Sequence, residues 1–123
     1  MKSTILTILL FFNLFTAVSQ IIGTTYKLDS IEIAQFDLPT TVTWYNAKRE
    51  CKELGNGWRL PTKEELDKLY NNKDLIGNFV NNNYWSSTEY DSRYAWMQVF
   101  IHKSIAITLK EGYINARAVK SIK

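Results

Sequence analysis

One ten-residue run, Gly57–Leu66 with the sequence GWRLPTKEEL, constrains the fold of this chain more than any other segment. Pro61 is not tolerated inside a helix, but it is compatible with the position just before one. Thr62 can accept a hydrogen bond from the unpaired N–H groups of a first helical turn, and Glu65 three residues later completes a capping box. The sequence therefore predicts that a helix begins at Thr62.

Residues 1–19 have the pattern of a secretory signal peptide. Lys2 supplies a positive start, an apolar stretch runs over Ile5–Val18, and Ala17–Ser19 is a small-x-small cleavage pattern. The apolar stretch is shorter than the roughly 20 residues that a membrane-spanning helix needs, which disfavours an uncleaved anchor. We therefore predict cleavage after Ser19 and export to the periplasm, the cell surface or the medium. We expect no stable membrane span in the product.

Composition limits the classes of function for the predicted product, residues 20–123. Removing residues 1–19 takes one lysine and no acid from the 15 basic and 12 acidic side chains, which leaves a net charge of +2. Basic and acidic residues alternate, as in Lys48–Glu50 and Lys63–Glu65. A nucleic-acid-binding protein would instead cluster its basic residues on one element. We predict a single domain over residues 20–123 that does not bind nucleic acid.

A first helix is predicted before Gly57. Thr43 is a plausible N-cap and Gly55 a plausible stop. Spacings of three and four residues place an apolar stripe on one face of this helix: Trp44, Ala47, Cys51 and Leu54. The stripe favours a buried Cys51 thiol over a reactive or intermolecular one, and a single cysteine excludes an internal disulfide.

Short alternating runs flank the two predicted helices. Two strands are predicted at Tyr26–Leu28 and Ile31–Ile33, before the first helix. Three further runs follow the second helix, which is predicted to fray at Asn71-Asn72, and are expected to form an antiparallel meander: Tyr94–Ile101, Ile105–Leu109 and Tyr113–Val119. This order of strands, helices and strands predicts an α+β domain.

Several motifs in this order resemble a known family. They are Trp44, Ala47, Cys51 and Leu54, the run Gly57–Thr62, Glu65-Leu66, the run Tyr84–Tyr90, Ala95-Trp96, Phe100 and Arg117–Lys120. Over about residues 31–120 the chain resembles the Lcl-type C-terminal domain, a bacterial extracytoplasmic module catalogued as a domain of unknown function. The resemblance implies a C-type lectin-like fold, with two helices packed on a small irregular antiparallel sheet and with variable loops on one side. Where relatives commonly place Asn-Gly, this chain has His102-Lys103, so a different turn type or modest strain is expected.

The tryptophans and two arginines in these motifs have both structural and functional interpretations. A tryptophan cluster can stack on sugars, but in so small a domain Trp44, Trp58, Trp85 and Trp96 are expected to supply core area. Trp58 and Leu60 alternate, so both are expected in the core while Arg59 stays in solvent. Arg59 and Arg117 are expected to form structural ion pairs or to bind backbone carbonyls, in preference to binding an anion.

The segment Thr88–Tyr94, which joins two probable strands, is the main candidate for binding. It is polar and rich in tyrosine, a composition typical of adaptable recognition loops, although an ordinary solvated turn is the alternative. The candidate ligand-binding residues are Thr88, Glu89, Tyr90, Asp91, Arg93 and Tyr94. His102 and Lys103 form a second candidate, suited to an anion. Since the two segments flank one predicted strand, we expect them at opposite ends of it.

Catalytic and metal chemistry are poorly supported by these residues. One cysteine and one histidine cannot supply a zinc site, which needs about four ligands. Glu89 and Asp91 fall short of the six to eight oxygens, roughly, that calcium prefers. We therefore predict no catalytic residues, no metal and no cofactor. The predicted function is a non-catalytic extracytoplasmic module that recognises a glycan or a partner protein. The alternative is a structural subunit that docks on another cell-envelope protein.

Overall fold

The computed structural model describes residues 17–123. Most of the predicted signal peptide, residues 1–16, lies outside the described residues. Residues 17–22 are helical, and Val18, Ile21 and Ile22 pack against the core. The Ile22 carbonyl accepts a hydrogen bond from the Gln35 N–H at 2.8 Å, which fixes the end of this helical segment beside the domain.

The described chain contains seven strands and three further helices. In chain order they are β1 (Tyr26–Leu28), β2 (Ile31–Ile33), α1 (Trp44–Glu53), β3 (Trp58–Arg59), α2 (Lys63–Asn71), α3 (Lys73–Ile76), β4 (Asn83–Glu89), β5 (Tyr94–Val99), β6 (Ser104–Leu109) and β7 (Val119–Ser121). The predicted strands β1 and β2 and both predicted helices are confirmed. The single turn α3 was not predicted, because four residues are too few to show a helical period.

The strands form two small antiparallel sheets, and the strand order corrects one prediction. The first sheet has the order β1-β2-β7-β3 and the second is a meander, β4-β5-β6. The predicted strand Tyr113–Val119 is therefore not part of the meander. After β6, Ile114 forms a single bridge with Val42, and the chain enters the first sheet as β7. Residues 116–119 are all buried, so this segment runs through the interior, where an alternating surface strand cannot run.

Two groups of buried side chains make the core. One group surrounds the inner face of α1 and includes Trp44, Cys51, Trp58 and Trp85. The other lies between α2 and the sheets and includes Ile33, Leu66, Leu69, Tyr84 and Phe100. The predicted stripe on the first helix and the predicted core roles of Trp44, Trp58 and Trp85 are thus confirmed. Trp96 differs, because it is only half-buried.

The Cys51 thiol is fully buried on the inner face of α1. Burial away from water, with a smaller effect from the Glu50 carboxylate, raises the pKa of this thiol to about 12. We expect Cys51→Ser to lower the free energy of unfolding by about 1–3 kcal/mol, because a hydroxyl is placed in an apolar site. Urea denaturation measures this change. Rapid reaction of the native thiol with a maleimide would contradict the buried position.

The start of α2 has the predicted capping box. The Glu65 N–H donates to Thr62 Oγ1 at 3.1 Å, and the Thr62 N–H donates to Glu65 Oε1 at 2.8 Å. We expect Thr62→Ala to destabilise the domain by about 1 kcal/mol, and Thr62→Asp to be nearly neutral because aspartate accepts the same bond. Thermal unfolding of the two variants checks this. Equal losses would mean that Thr62 is not the cap.

Both arginines singled out in the sequence are structural. Arg59 makes a bidentate pair with Glu65, with Nη1–Oε1 and Nη2–Oε2 distances of 2.7 and 2.9 Å. This pair lowers the pKa of the Glu65 carboxyl. Arg117 is completely buried and pairs with Asp37 at 2.7 Å. Both terminal nitrogens of Arg59 pair with Glu65, and Arg117 has no solvent exposure, so the structural interpretation is confirmed for both.

Candidate binding surface

The connection between β4 and β5 is shorter than the sequence indicates. Thr88 and Glu89 are the last residues of β4 and Tyr94 is the first of β5, so the loop itself is residues 90–93. The loop is built on one side chain: Asp91 Oδ1 accepts from the N–H groups of Arg93 and Tyr94 at 2.8 and 2.9 Å. This Asx-type bonding occupies one oxygen of the Asp91 carboxylate and stabilises the turn.

The buried side chain of Lys110 stabilises the loop from the protein interior. Its side chain is 2% exposed, and its Nζ donates to Glu89 Oε1 and to the Ser92 carbonyl. The same ammonium lies 4.6 Å from the centre of the Trp44 ring. Because a buried ammonium needs a partner, Glu89 Oε1 is committed to this ion pair.

Thr88 links the end of β4 to the start of α2. The register of β4 against β5 shifts between Trp85 and Glu89. Beyond this shift, Thr88 Oγ1 accepts a hydrogen bond from the Lys63 N–H at 2.9 Å, in the first turn of α2. The predicted candidates therefore divide into two groups. Thr88, Glu89 and Asp91 build the hairpin, whereas Tyr90 and Arg93 are exposed and Tyr94 is half-exposed.

Trp96 joins the exposed tyrosine. The rings of Tyr90 and Trp96 meet edge to face, with centres 5.6 Å apart, and Lys63 Nζ lies 4.4 Å from the centre of the Trp96 ring. The sequence analysis placed Trp96 in the core. The signal for a different position was its spacing from Tyr94, since residues two apart on a strand share one face.

The apolar surface continues onto the edge strand β6. Opposite Tyr94 and Trp96 in the ladder lie Leu109 and Ile107, which are 48% and 39% exposed. Tyr90 itself is 53% exposed. We call these five residues the sheet patch. It is a contiguous surface of aromatic and aliphatic side chains on a rigid hairpin pair, with Arg93 and Lys63 at its rim.

Ile107 and Leu109 were not predicted to be exposed. Alternation in Ile105–Leu109 indicates a half-buried strand, and apolar residues of such a strand ordinarily face the core. Here Ala106 and Thr108 alternate with them on the opposite face of the strand and are less exposed. Which face of β6 is buried depends on how α1 and Trp85 pack against the meander. The local sequence does not encode that packing.

The second candidate, His102 and Lys103, lies in the turn between β5 and β6, at the opposite end of β5 from residues 90–93. No residue of this turn has a positive φ, so the turn is of a type that needs no left-handed residue. Lys103 Nζ lies 3.7 Å from Asp67 Oδ1, and Ser104 Oγ lies 3.2 Å from His102 Nδ1. The Asp67 carboxylate offsets the positive charge of Lys103 that an anion would require.

The strongly shifted titrating groups belong to the interior. Burial raises the pKa of Asp37 despite its pairing with Arg117, and burial also raises the pKa of Tyr84, whose hydroxyl donates to Asp37 at 2.6 Å.

Within residues 17–123, no group of three or more His, Cys, Asp or Glu side chains is arranged to hold a metal ion. In the same residues no helix is long and apolar enough to cross a membrane. A cleft of about 600 Å³ lies beside the first sheet and is lined by Glu32, Asn56 and Lys120, among others. It does not include any residue of the sheet patch.

Comparison with known proteins establishes the family. A sequence model of the Lcl C-terminal domain matches residues 24–120. The chain belongs to the Lcl C-terminal domain family. No curated protein sequence matches it significantly. The Lcl C-terminal domain described here has a C-type lectin-like fold, as the resemblance in its motifs implies.

Two solved structures from snake venom illustrate that fold. EMS16, an antagonist of the collagen receptor integrin α2β1, superposes with a TM-score of 0.58 at 13% identity, over 79% of this chain and 96% of its own. Botrocetin superposes with a TM-score of 0.60 at 12% identity, over 80% of this chain and 97% of its own. At this level of identity the likeness concerns the fold alone.

Proposed function

We propose that this Lcl C-terminal domain is an extracytoplasmic, non-catalytic binding module that docks a partner protein on the sheet patch. The observation that carries the proposal is the contiguity of Tyr90, Trp96, Ile107 and Leu109 on one solvent-facing surface. Contiguous apolar surface bordered by polar groups is typical of a protein-binding site. Tyrosine, tryptophan and arginine are also the residues that contribute most to binding energy at protein interfaces.

The chemistry of the patch favours a protein over a glycan. Tyr90 meets Trp96 edge to face, so the two rings do not present one flat stacking platform. Ile107 and Leu109 offer no hydrogen bonds to sugar hydroxyls. Of the carboxylates that could accept such bonds, Glu89 already has one oxygen bonded to Lys110 and Asp91 has one oxygen bonded to the loop backbone.

Two cationic side chains lie at the rim of the patch. Arg93 is exposed in the loop that carries Tyr90, and the Lys63 ammonium lies over Trp96. In the same hairpin Glu89 is paired with Lys110, and Asp91 Oδ1 accepts from the loop backbone. A partner with an apolar centre and acidic residues around it would complement this surface, since charge complementarity raises the rate and specificity of association.

The fold and the targeting pattern are consistent with this role. The structural neighbour EMS16 acts on a protein receptor, which illustrates that a C-type lectin-like domain can bind a protein. The signal-peptide pattern of residues 1–19 supports an extracytoplasmic location. Docking on another envelope protein as a permanent subunit uses the same surface and differs only in the lifetime of the complex.

A paired set of variants tests the proposal. Tyr90→Ala/Arg93→Ala removes an exposed tyrosine and arginine from the patch and its rim, and Tyr45→Ala/Arg49→Ala removes the same residue types from the exposed side of α1. Both should leave the melting temperature nearly unchanged, because exposed substitutions usually change stability by within about 0.5 kcal/mol. Each chain is immobilised and probed with the exported protein fraction of its source organism and with a glycan array.

We expect the wild type and the α1 variant to retain one protein, and the patch variant to lose it by at least about tenfold in affinity, because two contact residues at a hot spot are removed. If the wild type gives a glycan signal that disappears in the patch variant, the ligand of this surface is a sugar and not a protein. Retention of the same protein by all three chains would contradict the proposed surface.

A further inference from the structure

The turn between α1 and β3 contains three consecutive residues in the left-handed region. Gly55, Asn56 and Gly57 have φ values of 81°, 53° and 88°, and all three are exposed. A Cβ placed on either glycine would meet no atom within 4 Å, so open space lies on both sides of Asn56. The side chain of Asn56 and the backbone around it therefore have room to rotate.

Two neighbouring polar groups of this turn are unengaged. Within residues 17–123, neither the side-chain amide of Asn56 nor the backbone N–H of Gly57 takes part in a hydrogen bond. The next N–H along the chain, that of Trp58, donates to the Gly55 carbonyl at 3.1 Å. The Gly57 nitrogen is thus the one backbone nitrogen next to the Asn56 amide that no internal bond holds in place.

We propose that Asn56 is a site of spontaneous deamidation. The Gly57 nitrogen attacks Asn56 Cγ and releases its proton to solvent, while the bond from Cγ to the side-chain nitrogen breaks and that nitrogen leaves as ammonia. A cyclic imide then joins the two residues. The following residue favours this step when it is glycine, because no Cβ hinders the approach of its nitrogen.

Water completes the reaction by opening the cyclic imide. If the bond between the Gly57 nitrogen and Asn56 Cγ breaks, residue 56 becomes aspartate. If the original peptide bond breaks instead, the main chain runs through Cγ and residue 56 becomes isoaspartate. Ammonia is released and water is consumed, so the reaction needs no enzyme and no cofactor.

The other asparagines lack this combination of features. Asn56 is followed by glycine, and no other asparagine in the sequence is. Asn78 is also exposed and has a φ of 65°, but its Nδ2 donates to the Gln35 carbonyl at 3.2 Å and Phe79 follows it. Both the bond and the bulky neighbour oppose the cyclisation there. Asn78 is therefore a control within the same molecule.

Either product adds one negative charge to the cleft beside the first sheet. Asn56 and Gly57 line this cleft together with Lys120 and Lys123, so the new carboxylate lies among side chains of opposite charge. Aspartate is tolerated in the left-handed region much as asparagine is. Since the cleft contains no residue of the sheet patch, this inference goes beyond the proposed function and does not depend on it.

Mass spectrometry of the folded full chain, incubated at neutral pH and 37 °C, tests the proposal. Trypsin releases residues 53–59, a peptide in which Asn56 carries the only side-chain amide. We expect this peptide to gain about 1 Da, which is the replacement of an amide by an acid, and to separate into aspartate and isoaspartate forms. A synthetic peptide of the same residues, incubated in parallel, gives the rate without a fold.

The folded chain should convert at a rate within about tenfold of the synthetic peptide, because glycines on both sides leave the turn free to rotate. A folded chain that converts more slowly than this overturns the proposal, since the fold would then protect Asn56. The control peptide from the same digest, residues 74–93, contains Asn78 and should convert at least about tenfold more slowly than residues 53–59.

A variant separates cyclisation from direct hydrolysis of the amide. Asn56→Gln keeps a side-chain amide but would have to close a larger ring, so residues 53–59 of this variant should keep their mass over the same period. Circular dichroism melts confirm that the variant is folded. A gain of mass in Asn56→Gln at the wild-type rate, or in residues 74–93 at the rate of residues 53–59, contradicts the assignment to Asn56 and Gly57.

Discussion

Replacing Arg117 with methionine is expected to lower the free energy of unfolding by about 3–5 kcal/mol, because one partner of a buried ion pair is removed. Arg117 Nε donates to Asp37 at 2.7 Å. Its two other nitrogens donate to the carbonyls of Ala34, Gly77 and Asn78 at 2.9–3.2 Å. The guanidinium also lies 4.0 Å from the centre of the Phe79 ring. Arg117 thus connects its own segment with two others, at residues 34–37 and 77–78.

The size of this loss follows from what the substitution leaves behind. Asp37 would keep the Tyr84 hydroxyl as its donor but would have no cation, and three carbonyls would lose their partner. An uncompensated buried carboxylate costs far more than a missing surface pair. Arg59→Met is the control, because its pair with Glu65 is partly exposed and should cost only about 1 kcal/mol or less. Urea denaturation of both variants measures the difference, and equal losses would contradict the central role of Arg117.

The pH dependence of the Arg117→Met variant should have a definite sign. Burial already raises the pKa of Asp37 in the folded protein. A group whose pKa is raised by folding contributes stability below its unfolded value, about 3.9 for aspartate, and loses that contribution as the pH rises through the folded value. Removing the Arg117 cation raises the pKa of Asp37 further, so the deficit of Arg117→Met should shrink as the pH falls from neutral toward about 4, because protonated Asp37 needs no cation. A deficit that grows in acid would contradict this explanation.

Replacing Trp85 with alanine is the second large loss that we expect, about 3–5 kcal/mol. Trp85 is completely buried on the inner face of the meander, and its Nε1 donates to the Val42 carbonyl at 2.8 Å. The substitution would open a cavity between the meander and α1 and remove one of the two hydrogen bonds that the Val42 carbonyl accepts, the other of which comes from the Ile114 N–H at 3.0 Å. Trp85→Phe keeps most of the apolar volume, so its loss should be about 1–3 kcal/mol, close to that of the missing hydrogen bond. Thermal unfolding compares the two, and equal losses would show that packing contributes little at this position.

Features that depend on neighbouring residues could be predicted from sequence. The caps at Thr43 and Thr62 are confirmed by hydrogen bonds to Asn46 and Glu65. The stripe on α1 is confirmed as well, because helical spacing alone determines which side chains share a face. The ends of these elements depend on residues three to five positions away, so the chain encodes them locally.

Features set by distant packing could not be predicted. The segment after β6 has the alternation of a meander strand, but it crosses the interior to join the first sheet as β7. The contacts along this route are distant in sequence: buried Arg117 pairs with Asp37, eighty residues earlier in the chain, and Val119 pairs with Ile33. Alternation also cannot say which face of β6 is solvated. The sheet patch was therefore recognised only at Tyr90 and Tyr94, and its tryptophan and aliphatic residues came from the structure.

The proposed location of binding also depends on which loop side chains are already engaged. Composition made Glu89 and Asp91 look like free acceptors, but Lys110 and the loop backbone hold them. Lys110 lies 21 residues beyond Glu89. Its burial is the one observation that changes the expected character of the site from polar to apolar. Such a long-range ion pair has no local signature.

Position-specific photo-crosslinking tests the central claim most directly, which is that the sheet patch docks a partner protein. The photoreactive side chain is introduced as Tyr90→p-benzoylphenylalanine in one chain and as Ile101→p-benzoylphenylalanine in another. The two positions are 53% and 68% exposed and lie beyond opposite ends of β5. Irradiation in the presence of the exported protein fraction should give one discrete crosslinked protein from position 90 and none from position 101. Identical products from both positions, or crosslinks from position 101 alone, would contradict the proposed binding surface.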